Sequence, residues 1–217
     1  NILLDSFWKI FLPGLKVTIP LTVISFSIAL VIATAMAMVQ FANIKGLRQI
    51  ARFYIWIFRG TPLLVQLFVV FYGLPRAGIL IDPFPAAVLV FSLNEGAYSA
   101  ETMRAALEAV PAGQLEAGYC VGMSYLQIMR RIILPQAMRT AFPPLSNSLI
   151  AMVKDTSLAR IIALQEIIWA GQAFMKGSQG ISGAIWPLFF TAVYYLIFNG
   201  VLTVLLGRLE KKLDYFR

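Results

Sequence analysis

Glu95 lies near the middle of an apolar run, AAVLVFSLNEGAYSAETMRAAL (residues 86–107), and its charge there needs a reason. An ionised side chain at bilayer depth costs at least about 2.5 kcal/mol on insertion scales. No basic residue stands three or four positions away to pair with it. Two readings stay open: a protonated carboxyl packed in a core, or a carboxylate facing a central cavity where it accepts an ammonium group. Glu101 and Arg104 are one helical turn apart and are expected to pair with each other. The second polar cluster is KDTS, Lys154 to Ser157. Asp155, Thr156 or Ser157 can cap a following helix that runs through Ile161 and Leu164 to Trp169. The free N–H groups of that helix start would attract a carboxylate, with Lys154 adding charge. The alternative is a plain cap in which Lys154 and Asp155 neutralise each other. An acceptor for ammonium and donors for carboxylate are what a zwitterion needs. Asn94, Glu95, Lys154, Asp155, Thr156, Ser157, Gln165 and Glu166 are therefore the candidate substrate-binding set, with Asn147 a further polar neighbour.

A third polar stretch, EAGYCVGMSYLQIMRRIILP (residues 116–135), is too polar to cross a bilayer and too regular for a slack loop. Its spacing predicts two short helices. The first runs from about Pro111 to Val121, and Gly122 takes the left-handed conformation that ends it. Ser124 and Gln127 form an S-x-x-Q capping box, so a second helix begins at Tyr125, continues through Ile128, Ile132 and Ile133, and meets Pro135 at the membrane. Helix, tight glycine turn and helix make a compact protrusion. It either transmits force from a partner or covers the edge of the membrane domain.

These residues must be held by membrane-spanning elements. Of the 217 residues 59% are hydrophobic and 13% charged, against about 25% charged in soluble domains. Runs near 20 apolar residues predict five spans, at about 14–40, 53–74, 86–107, 136–153 and 184–207. Pro20 is expected to kink the first. Thr61 is expected to cap a helix that begins with Pro62, and Pro143 with Pro144 to shorten or break the fourth. The whole chain, 1–217, reads as a single transmembrane domain of all-α class, with no hydrophilic domain and no internal repeat. The net charge of +8 reflects basic loops rather than nucleic-acid binding. Twelve of the 18 basic residues fall on one side of the five-span arrangement. They are Lys45, Arg48, Arg52, Arg59, Arg104, Arg130, Arg131, Arg139, Arg208, Lys211, Lys212 and Arg217. That side is expected to be cytoplasmic, which puts the N-terminus outside and the C-terminus inside. No signal peptide is expected at the N-terminus, where a basic region and an A-x-A cleavage site are both missing. There is no histidine, and the single cysteine, Cys120, leaves no internal disulfide. No metal site and no nucleophile–base pair is expected, and the chain is not read as an enzyme.

Glu116, Ala117, Gly118, Gly122, Ile132, Leu134 and Pro135 follow E-A-G-x-x-x-G, nine residues, then I-x-L-P. This resembles the EAA signature of ABC importer permeases, in which the third letter is commonly Ala where Gly118 stands here. R-G-T-P-L-L-V-Q (59–66), A-Y-x-A-E-x-x-R (97–104), G-Q-x-E-A (113–117), L-P-Q-A-M-R (134–139) and K-D-T-S-L-A (154–159) resemble the polar amino acid subfamily. The likeness extends over about residues 10–212. It implies a type I importer permease core of five spans in a bacterial inner membrane, working as a homo- or heterodimer. It also implies a cytoplasmic ABC ATPase dimer that binds ATP and Mg, an extracytoplasmic substrate-binding protein, and an amino acid as substrate. The segment at about 109–135 would then be the coupling element, with Glu116, Ala117, Gly118, Gly122, Met123 and Ser124 in contact with the ATPase. No G-x-x-x-x-G-K-[ST] loop is present, so no nucleotide or other cofactor is expected in this chain. The competing reading is a secondary transporter or channel for small polar solutes; inverted repeats often mark such transporters, and none is visible.

Overall fold

The computed structural model describes residues 11–12, 14–164 and 181–214, so Gln165, Glu166 and Trp169 fall outside the described residues. Every element among the described residues is helical. We number the α-helices α1 (Ile19–Phe41), α2 (Leu47–Gly60), α3 (Leu63–Phe68), α4 (Pro83–Glu108), α5 (Ala112–Cys120), α6 (Tyr125–Ile128), α7 (Leu134–Asp155) and α8 (Ile181–Asp214). By length and composition alone, two segments qualify as membrane spans, Lys16–Phe41 and Leu188–Lys212. Helix α4 is long enough, at about 39 Å for its 26 residues, but carries Glu95, Glu101, Arg104 and Glu108 within it.

The bundle is organised around α1 and α4. On α1, Ser25, Ala29, Ala33 and Ala37 recur every fourth residue and are almost completely buried. Ala33 and Ala37 share a core with Ala97 and Ala100 of α4. Small residues at this spacing let two helix backbones approach closely, which drives association where water is absent. The core has two ends, and α4 runs between them. Ala106, Leu107, Ile128, Met129 and Ile133 lie at one end. Ala86, Val90, Met152, Ala159 and Ile162 lie at the other. The 116–135 segment and the KDTS segment are thus at opposite ends of the domain.

Three prolines each follow a stretch of widened helix. Pro20 comes after Gly14–Thr18, Pro75 after Val69–Gly73 and Pro135 after Met129–Ile133. A helical proline ring clashes with the carbonyl four residues earlier and donates no N–H; a π turn moves that carbonyl aside and lets the helix continue. Pro135 therefore does not end the helix, and α6 leads through the π turn into α7. Nor is the fourth span broken. Pro143 and Pro144 sit inside α7, which is continuous over Leu134–Asp155. Arg139 and Thr140, whose carbonyls receive no N–H from the prolines four residues on, lie at the exposed surface of the helix.

The expected second span at 53–74 is not one helix. The chain bends by 101° between Leu47–Gly60 and Leu63–Ala77. Thr61 and Pro62 are extended at the break, and Thr61 does not cap the next helix. Its hydroxyl donates back to the Ile57 carbonyl at 2.9 Å. The carbonyls freed by the bend are taken up by side-chain amides. Gln66 Nε2 donates to the carbonyls of Phe58 (3.0 Å) and Thr61 (3.1 Å) and to Thr61 Oγ1 (2.8 Å). Asn94 Nδ2, on α4, donates to the Phe58 carbonyl (3.2 Å) and to Gln66 Oε1 (3.1 Å).

Gln66→Leu keeps the volume but removes the side-chain donor to the Thr61 carbonyl and leaves the Phe58 carbonyl to Asn94 alone, so a loss of about 1–3 kcal/mol is expected. Asn94→Leu should act in the same direction, and the double variant should lose less than the sum of the two. Thermal unfolding of the four proteins in one detergent measures this; additive losses would mean that the two amides do not act as a unit.

Candidate functional site

Glu95 stands halfway along α4 and is partly buried. Ser99 Oγ, one turn on, donates to its Oε1 at 2.6 Å. The Ser148 hydroxyl of α7 approaches the same carboxyl, and the Asp155 carboxyl is near enough to act on it electrostatically. Tyr54 of α2 reaches the neighbouring turn and donates its hydroxyl to the Leu93 carbonyl at 2.6 Å. Gly96 makes room for this. A Cβ there would lie 2.9 Å from the Tyr54 hydroxyl and 3.1 Å from Ile32 Cγ2. Glu95 is therefore held by hydroxyls, with no cation paired to it among the described residues.

Helix α7 carries one polar exposed face through this region. Asn147, Lys154 and Asp155 are exposed on it and Ser148 is half-buried between them. Their spacing of seven residues, with the 148–155 pair one position on, keeps them on the same side of a helix. Exposed polar groups at membrane depth face protein or a water-filled path rather than lipid. This stripe and Glu95 meet through Ser148.

The expected helix start at Lys154–Ser157 is not formed. Helix α7 passes directly into a 3₁₀ helix over Thr156–Ile162. The Thr156 N–H is bonded to the carbonyls of Lys154 and Met152, so no free N–H cluster faces a ligand there. Thr156 itself is fully buried and donates its hydroxyl to the Val153 carbonyl at 2.7 Å. The bend ends at Ala163, whose φ is +61°. Of the expected anion donors, Lys154 remains available, exposed beside Asp155. Asn94 points elsewhere, into the amide cluster at the α2–α3 bend. Glu101 and Arg104 pair as expected, and Glu108 joins them on the other side of the guanidinium. Ser148 and Tyr54 were not anticipated. The i, i+7 relation between Ser148 and Asp155 was legible in the sequence, whereas the approach of Tyr54 depends on the bend and on Gly96.

The 116–135 segment has the expected shape. Helix α5 ends in a paired turn in which the Gly122 N–H bonds to the Tyr119 carbonyl (2.9 Å) and the Met123 N–H to the Gly118 carbonyl (3.1 Å). This Schellman arrangement needs a left-handed residue, and Gly122 supplies it with φ +77°. The Ser124–Gln127 capping box is complete. The Ser124 N–H donates to Gln127 Oε1 at 2.9 Å and the Gln127 N–H to Ser124 Oγ at 3.4 Å. Gly118 is buried against α6, and a Cβ there would come within 2.6 Å of Ile128 Cγ1 and 2.8 Å of its Cδ1. The bare glycine is thus matched to a full isoleucine across the turn. Glu116, Ala117 and Ser124 are exposed, and so are the large apolar side chains of Val121 (75%) and Leu126 (77%). Met123 packs partly against the core. Contiguous exposed apolar side chains outside the bilayer mark a protein-binding surface.

Residues 29–215 match the family described as binding-protein-dependent transport system inner membrane component. Over 212 residues the chain is 41% identical to the L-cystine transport system permease protein TcyB of Bacillus subtilis, covering 98% of this chain and 90% of that protein. It is 37% identical over 205 residues to the glutamine transport system permease protein GlnP of Escherichia coli, covering 92% and 91%. In three dimensions it resembles a chain from the crystal structure of an amino acid ABC transporter with histidines. The TM-score is 0.85 with 29% identity, over 94% of each chain. The inward-facing MetNI methionine ABC transporter shares the fold, with a TM-score of 0.76 and 18% identity.

Gly118→Ala should overpack the α5–α6 turn and destabilise it by about 1–3 kcal/mol. Ile128→Val, which removes Cδ1, should restore part of this loss in the double variant while being destabilising alone. Thermal unfolding of the four proteins tests the pairing; no recovery in the double variant would refute it.

Proposed function

Since the chain belongs to the family of binding-protein-dependent transport system inner membrane components, we propose that it is the permease subunit of an ATP-driven amino acid importer. Support comes from relatives named as permeases for cystine, glutamine, arginine and octopine. The observation that carries the mechanism is the polar face of α7 joined to Glu95 inside an otherwise apolar bundle. Such a face is stable where two permease subunits enclose a hydrated path between them. Glu95 accepts the substrate ammonium there, and Lys154 offers a cation to its carboxylate. Thr156 is buried and Asn94 is engaged, so they shape the site rather than touch substrate. Removing one partner of a desolvated charge pair typically costs about 2–5 kcal/mol.

The 109–135 segment is the docking element for a cytoplasmic ABC ATPase dimer, which supplies ATP and Mg. A substrate-binding protein delivers the amino acid on the other side. The exposed apolar side chains around the glycine turn provide contact area, and the Schellman turn with the capping box makes the segment stiff enough to pass on a movement. The chain lies in a bacterial inner membrane with the N-terminus outside and the C-terminus inside, the side on which the basic residues gather. The separation of the two functional regions to opposite ends of α4 fits this orientation.

Three measurements test these assignments in proteoliposomes containing the whole transporter. Glu95→Gln should assemble normally and lower amino acid uptake by on the order of 30-fold; unchanged uptake would assign Glu95 to packing. Glu116→Lys and Gly122→Val should insert normally but lose transport and loosen ATPase association; wild-type transport by both would remove the docking role. For topology, with Cys120→Ser as background, an impermeant thiol reagent on intact cells should label a cysteine at Gly78 and miss one at Lys211, and the reverse pattern would invert the orientation.

A further inference from the structure

At the end of the bundle that carries α5 and α6, a cleft of about 330 Å³ opens between α1, α2 and α4. It is lined by Gln40, Arg48, Arg52, Arg59, Arg104 and the acidic pair Glu101 and Glu108, with Trp56 at its wall. Four arginines against two carboxylates leave an excess of positive charge. Both carboxylates are bonded to Arg104. Arg59 lies over the Tyr98 ring at 5.3 Å, and with Arg52 it is near enough to Glu101 to act on it electrostatically. Two donors at the base have no acceptor. Gln40 is more than nine-tenths buried, and its Nε2 is without a partner, as is the buried Nε of Arg48. A buried N–H is costly to leave without an acceptor, so the cleft offers donors and cationic charge suited to an anion.

We propose that this cleft binds the phosphate headgroup of an anionic phospholipid. Arginine matches phosphate oxygens with paired N–H donors, and basic pockets between membrane helices on the cytoplasmic side suit acidic headgroups. A lipid, rather than a free anion, is indicated by the helix that carries three of the arginines. Along α2, Ile50 (64%), Phe53 (61%) and Trp56 (70%) are exposed on the same helix as Arg48, Arg52 and Arg59. Apolar and aromatic side chains beside arginines are the pattern of a helix lying in the membrane interface, and Trp there sits at headgroup level. The acyl chains would run along this apolar surface while the headgroup reaches the orphaned donors of Gln40 and Arg48. The site is separate from Glu95 and from the 116–135 segment and does not depend on the substrate.

The test uses the purified full-length chain in a neutral detergent. Thermal unfolding is followed with short-chain phosphatidylglycerol, with phosphatidylcholine of the same chain length, or with inorganic phosphate. Phosphatidylglycerol alone should raise the midpoint, and it should be retained through purification when native lipids are quantified by mass spectrometry. Arg52→Gln combined with Arg59→Gln should weaken this binding by on the order of 30-fold, while Arg130→Gln with Arg131→Gln should leave it unchanged. Gln40→Leu, which removes one orphaned donor, should raise basal stability yet reduce the lipid-induced shift. The proposal is overturned by equal shifts with both lipids, by a shift with phosphate alone, or by full lipid retention in the Arg52/Arg59 variant. It is equally overturned if that variant loses ATPase association with its lipid binding intact, since the charge would then serve a protein partner.

Discussion

The backbone carbonyls of Phe58 and Thr61 constrain much of this structure. They are freed where the chain turns by 101° between α2 and Leu63. Gln66 and Asn94 provide the missing donors, and Asn94 does so from α4. The bend is therefore fastened to the helix that also carries Glu95. With this attachment in place, α2 packs along α4 from its middle toward Glu101, with Arg52 and Arg59 near that carboxylate and Tyr54 at the turn occupied by Glu95.

Close packing of α1 on α4 is the second condition. A seam of Ser25, Ala29, Ala33 and Ala37 brings the two helices near enough for the rest of the domain to assemble on α4. The long axis of α4 then sets the distance between the two ends of the core. The exposed glycine turn lies at one end and the bend after Asp155 at the other. A shift of α4 along its axis would reach both, because Ile128 and Ile133 pack with Leu107 while Met152 packs with Val90.

Several of the helical irregularities have a single cause. Pro20, Pro75 and Pro135 each sit just beyond a π turn, which lets the chain stay helical past a residue that neither donates a hydrogen bond nor leaves space for the preceding carbonyl. In the 116–135 segment this matters for mechanics. Because Pro135 does not end the helix, α6 continues through Met129–Ile133 into α7, and a push on the glycine turn is delivered to the helix that bears the polar face.

Patterns that are local in the chain could be read without a structure. The Ser124–Gln127 capping box and the left-handed Gly122 each depend on neighbours within five residues, and the i, i+3 pair of Glu101 and Arg104 does too; all three are in place. The apolar runs identified a helical membrane protein for the same reason, since hydropathy is summed over one segment. What the structure decided are the features that depend on how each local signal is surrounded once the helices are in place. Asn94 serves the bend at Phe58, 36 positions away, instead of a ligand. Gly118 is required because Ile128 folds back onto it. Pro143 and Pro144 are carried inside a continuous helix because Arg139 and Thr140 lie at its exposed surface. Lys154–Ser157 presents no helix start because α7 runs on into the 3₁₀ turn. In the first two cases hydrogen-bond satisfaction or excluded volume between separate helices outweighed the local preference, and in the other two the exposure and continuation of α7 decided whether a local signal ended the helix.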